Sequence, residues 1–145
     1  MKKRIILAMF IGSIGIAKAQ TISQKIANGS VKDWCIKQEI KNSKDTTTYF
    51  YWGYQNLEYS YITDIGSVFI TTKSDLDKFS DELVNLANSD VSISTSIKIG
   101  LTKLSTYTWT KSIMVSDNND KYTYISRKDA IKLSEEIKLY SNLLK

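Results

Sequence analysis

Residues 72–86 read TKSDLDKFSDELVNL, and 54 residues further on residues 126–140 read SRKDAIKLSEEIKLY. In the first stretch Leu76, Phe79, Leu83 and Leu86 recur at 3-4-3 spacing, which lines apolar side chains along one face of an α-helix. In the second, Ala130, Leu133, Ile137 and Tyr140 fall on the same columns, and Asp75, Lys78, Ser80 and Glu82 coincide with Asp129, Lys132, Ser134 and Glu136. Each stretch opens on a hydroxyl residue, Thr72 or Ser126, with an acid three positions on, a pattern close to the capping box. Asn88-Ser89-Asp90 stops the first helix, and the second runs over about residues 127–144.

Outside the two helices the period falls to two. Trp34, Ile36 and Ile40 alternate with Lys37, Glu39 and Lys41, a half-buried strand. Asn42-Ser43-Lys44-Asp45 is turn chemistry, and residues 46–54 return as a strand rich in β-branched and aromatic residues. Residues 57–62 and 67–71 read as further strands, divided by Gly66. Beyond the first helix, Val91, Ile93, Ile97 and Ile99 alternate with polar residues. Residues 103–115 read as one strand with Tyr107, Trp109, Ile113 and Val115 on one face. Asp117-Asn118-Asn119-Asp120 makes a hairpin loop before a short strand at residues 122–125. Residues 20–27, with Ile22 and Ile26 four apart and Asn28-Gly29 behind them, read as a short helix. The expectation is an α+β domain over residues 20–145, mainly an antiparallel sheet of about five to six strands. Two amphipathic helices lie on one face, and the echo between them raises duplication of a βββα unit.

Residues 1–19 form a leader. Lys2, Lys3 and Arg4 precede an apolar run from Ile5 to Ile16, and Ala17-Lys18-Ala19 places small residues where a signal peptidase requires them. The expected cut lies between Ala19 and Gln20. The run is about 12 residues where a spanning helix needs roughly 20, so the expectation is export, periplasmic or secreted, with no stable membrane anchor after cleavage. Four of the 20 cations stand in this leader, leaving 16 against 15 acids in the remainder. That balance excludes the basic surface by which nucleic-acid binders displace counterions.

The chain has no histidine, no proline and one cysteine, Cys35. Histidine-based triads and zinc sites are excluded, a cysteine cluster cannot form, and no phosphate loop, GxGxxG or GxSxG occurs. No metal, no cofactor and no catalytic residue is expected. The carboxylates Glu58, Asp64, Asp117 and Asp120 leave one hydrolytic arrangement open, a convergent acid pair.

Residues 49–61, YFYWGYQNLEYSY, hold seven aromatics. Tyr49 and Tyr51 must face one way and Phe50, Trp52 and Tyr54 the other, and helices cover only one face of a sheet. One set is therefore free for a partner, unless the tyrosines only line the sheet in cross-strand pairs. The expected partner contacts are Trp52, Tyr54 and Tyr59, extended by Tyr107 and Trp109. The leading expectation is a non-enzymatic exported module that buries rigid aromatic anchors in a protein partner, as an inhibitor, accessory subunit or immunity-type factor. A glycan or cell-wall binding module using the same rings comes second, and a small carboxylate hydrolase third.

Overall fold

Alternation becomes sheet in both halves of the chain. The computed structural model describes residues 20–24, 31–42, 45–58 and 64–144. In the first half β1 (Gln20–Gln24), β2 (Val31–Asn42), β3 (Asp45–Gln55) and β4 (Ile65–Ile70) form an antiparallel meander, followed by helix α1 (Lys73–Asn88). In the second half β5 (Thr95–Ile99), β6 (Thr102–Thr106), β7 (Ser112–Ser116) and β8 (Tyr122–Ser126) make a second meander in the same order. Helix α2 (Arg127–Tyr140) and a 3-10 turn at Ser141–Leu143 complete it. The fold is α+β, as expected. The described residues hold eight strands in two four-stranded sheets, where about five to six in one sheet were expected.

The differences have local causes. Residues 20–24 are a strand rather than the start of a helix, pairing Ile22 with Ile36; two isoleucines four apart over so short a stretch do not separate the two periods. The strand expected from Val91 begins at Thr95. Asp90 bends the chain first, its carboxylate accepting the Ser92 N–H at 2.8 Å and its carbonyl the Ile93 N–H at 3.3 Å. Residues 103–115 are two strands, because the chain turns at residues 107–111, where the Thr110 N–H donates to the Tyr107 carbonyl. Of residues 57–62, Leu57 and Glu58 lie in a turn and the others lie outside the described residues.

Strand register explains the core. Trp34 pairs with Trp52 and Trp52 with Val68; Ile36 pairs with Phe50 and Phe50 with Ile70. All six are buried, and they meet Leu76, Phe79, Leu83 and Leu86 from α1 and Leu104, Ile113, Val115 and Ile125 from the second sheet. Each such side chain stabilises the fold by about 1.5–3 kcal/mol relative to exposure. Tyr54 pairs with Gly66, and a Cβ at Gly66 would lie 2.3 Å from the Tyr54 ring. Gly66→Ala is therefore expected to destabilise the chain by about 1–3 kcal/mol through overpacking. Urea unfolding checks this, and an unchanged midpoint would contradict the Tyr54–Gly66 register.

The echo between the helices has a geometric counterpart. Thr72 caps α1 by accepting the Asp75 N–H at 3.2 Å, and Ser126 caps α2 by accepting the Asp129 N–H at 3.1 Å. Ser80 and Ser134, equivalent positions in the two stretches, touch each other in the core with hydroxyl oxygens 2.8 Å apart. A residue that meets its own equivalent marks an approximate two-fold axis between the two ββββα units. The cross-contacts agree, since β3 touches β8 and β4 touches β7.

Candidate protein-binding face

Trp52 and Tyr54, expected as partner contacts, are core residues with no exposed surface. Their alternation puts them on the covered face of the first sheet. Trp52 packs edge-on to Tyr54 at 5.7 Å, and the Tyr54 hydroxyl donates to the Lys121 carbonyl at 2.9 Å. Burial, then the nearby Asp117 carboxylate, pushes the Tyr54 phenol far above its ordinary range. The opposite face carries the half-buried Tyr49 and Tyr51 beside the exposed Phe69, with the Tyr49 and Phe69 rings 4.9 Å apart. Tyr59, Ala17 and Ala19 lie outside the described residues, and Gln20 opens β1.

Tyr107 and Trp109 meet two rings that sequence reasoning did not single out. The inner positions of β8 are Thr123 and Ile125, both buried, so Tyr122 and Tyr124 face outward. The turn after β6 folds Trp109 against Tyr124 at 6.3 Å, edge to face, and stacks it on Tyr107 at 5.6 Å. Tyr122 meets Tyr124 at 5.8 Å. Burial and the neighbouring Tyr122 and Tyr107 hydroxyls raise the Tyr124 phenol above its ordinary value. The result is a four-ring cluster on the outer face of the second sheet, and Trp109 is 72% exposed at its edge.

Three anchors fix the turn that presents Trp109. The Thr108 N–H donates to the Ser94 hydroxyl at 3.3 Å, and the Ser112 N–H to the Thr110 hydroxyl at 3.1 Å. Arg127 Nε donates to the Lys111 carbonyl at 3.1 Å, while its Nη1 donates to the Ala87 and Ser89 carbonyls. One guanidinium thus ties the C-terminal end of α1 to the aromatic turn, where a cation is favoured by the helix dipole.

Of the four carboxylates considered for hydrolysis, Asp64 and Asp117 are engaged in hydrogen bonds. Asp64 binds Lys121 and accepts from the Asn56 side chain at 3.0 Å. The oxygens of Asp117 accept the Ser67, Asn119 and Lys121 N–H groups. Asp120 sits at the hairpin tip with a positive φ of 59°, and Glu58 lies exposed in the turn after β3. Asn56, buried between the sheets, accepts the Glu58 and Tyr122 N–H groups, and Leu57 N–H donates to the Tyr122 carbonyl at 2.9 Å. This polar clasp joins the two sheets and fixes where β8 and its tyrosines stand. Among the described residues no group of three or more histidine, cysteine or acidic ligands comes together, and no helix is long and apolar enough to cross a membrane.

The clasp makes stability depend on pH at both ends. Hydrogen bonds from Lys121 and then Asn56 hold the Asp64 carboxyl below its ordinary value. Asp64 therefore contributes fully at neutral pH, and its contribution fades as pH falls through the depressed value. The Lys121 ammonium, raised first by its hydrogen bond to Asp64, contributes below the ordinary lysine value and is lost as pH rises through the raised one. Asp64→Asn is expected to flatten the acid limb of a melting-temperature profile; a profile identical to wild type would contradict the clasp.

Comparison with protein-family models, with curated proteins and with solved structures finds no match for this chain.

Proposed function

We propose that this chain is an exported, non-enzymatic module that binds a protein partner through the outer aromatic face of its second sheet. The observation that carries this reading is the cluster of Tyr107, Trp109, Tyr122 and Tyr124, with Trp109 largely exposed on a pinned turn. Rigid aromatic rings give large contact area at low entropic cost and dominate protein interfaces. The ring planes favour a protein over a glycan. Trp109 and Tyr107 lie within 23° of each other, but Tyr124 stands at 78° to Trp109 and Tyr122 at 74° to Tyr124. Beyond the Trp109–Tyr107 pair these stepped planes offer no extended coplanar platform for a row of sugar rings. Engagement of Asp64 and Asp117 in hydrogen bonds argues against the hydrolase. Export rests on the leader at residues 1–19.

The test is capture from the exported fraction of the native cell. The chain from Gln20 serves as bait, and its Trp109→Ala/Tyr124→Ala variant, checked for folding, serves as control. A protein retained by the first and lost with the second supports the reading. Retention of the same proteins by both baits would refute it.

A further inference from the structure

Lys98 and Lys103 stand directly opposite each other across β5 and β6, both exposed. Side chains in that register have Cβ atoms about 4.5–5.5 Å apart, and two like charges there work against the sheet. Among the described residues no ion pair offsets them. Residues 91–116 contain Lys98, Lys103 and Lys111 and no aspartate or glutamate, and β8 carries no acid either. Among the described residues the ion pairs join Lys73 to Asp77, Lys121 to Asp64 and Lys138 to Asp81. The nearest acids in sequence are Asp90, whose carboxylate accepts the Ser92 N–H, and Asp117, whose oxygens accept three backbone N–H groups.

The lysine pair shares a face with the aromatic cluster. Register runs one row across the sheet, Lys98 to Lys103 to Ser116 to Tyr122. With strands about 4.8 Å apart, Lys103 lies about 10 Å from Tyr122 in that row. A sheet that keeps two facing cations beside exposed rings violates local pairing rules where a ligand would relieve the violation. This builds on the reading that the face binds a protein. We infer that the partner presents an acidic segment, which lays its carboxylates between Lys98 and Lys103 while its apolar groups rest on Trp109 and Tyr124. Charge complementarity of this kind sets the partner and speeds encounter.

Selection of displayed random dodecapeptides on the chain from Gln20 tests this, followed by titration of the winning peptides at low and high salt. The expected winners are rich in Asp and Glu, and bind more weakly as salt rises. Lys98→Glu should weaken them about fivefold and Lys98→Glu/Lys103→Glu about twentyfold. Stability should move differently. The single variant turns a like-charge pair into an opposite one and should melt about 1–4 °C higher, and the double variant should fall back. Peptides lost with Trp109→Ala but indifferent to both lysine variants would overturn the acidic segment and leave the protein-binding face standing. Peptides indifferent to all three variants, or an empty selection, would overturn both. A selection that fails while a polyanionic glycan binds would also overturn the inference. So would lysine reversals that leave peptide binding intact and only make the chain aggregate, since the pair would then serve to protect the sheet edge.

Discussion

Trp52→Ala is expected to destabilise the chain by about 3–5 kcal/mol, the usual loss when a buried indole is removed from a packed core. The ring has no exposed surface, stands in register between Trp34 and Val68, and meets Tyr54 edge-on. No neighbour in this set can collapse into the space, because Trp34, Phe50 and Tyr54 are themselves fixed by strand register. A domain of this size has a total stability of about 5–15 kcal/mol, so the variant should sit near or past its unfolding midpoint under mild denaturant. Trp52→Phe should cost much less, since the indole N–H has no hydrogen-bond partner among the described residues and its removal relieves a buried unpaired donor. Urea unfolding followed by far-ultraviolet circular dichroism separates the two variants. An alanine variant that keeps the wild-type midpoint would place Trp52 on the surface and contradict the assignment of the two sheet faces.

Trp109→Ala should behave in the opposite way. The side chain is 72% exposed and rests on the Tyr107 and Tyr124 rings, so stability should change by about 0.5 kcal/mol or less. Affinity for the captured partner should fall by about 2 kcal/mol or more, about thirtyfold, as for a tryptophan anchor at the centre of an interface. Tyr124→Phe keeps the ring that Trp109 leans on and should lose far less. Calorimetric titration alongside a thermal melt gives both quantities for each variant. Equal affinity for wild type and Trp109→Ala would remove this cluster from the interface.

Much of the fold was legible in the chain because the helices carry strong signals. The 3-4-3 spacing around Leu76 and Phe79, the hydroxyl caps at Thr72 and Ser126, and the stop at Asn88 all stand where the spacing puts them. Even the coincidence of Ser80 with Ser134 became a contact. Strands were harder to read. The break at residues 107–111 has no glycine, proline or asparagine to announce it, so two strands read as one and Trp109 was placed on the same face as Ile113. The aromatic run at residues 49–61 showed that its alternate rings must part company. Which set the helices would cover depends on β3 pairing with both β2 and β4, and no single strand states its neighbours. Tyr122 and Tyr124 were within reach, since the alternation of Tyr122, Thr123, Tyr124 and Ile125 already turns both tyrosines away from Ile125.

Trp109 is the proposed anchor that a partner covers, and its own fluorescence reports on that. Of the three tryptophans, Trp34 and Trp52 have no exposed surface and Trp109 is 72% exposed. Acrylamide should therefore quench one class of emission strongly in the free chain, and Trp109→Phe should abolish that class. Adding the captured partner in its own tryptophan-free variant should shield the same class from quenching. A partner that binds while Trp109 stays as quenchable as before would contradict the account.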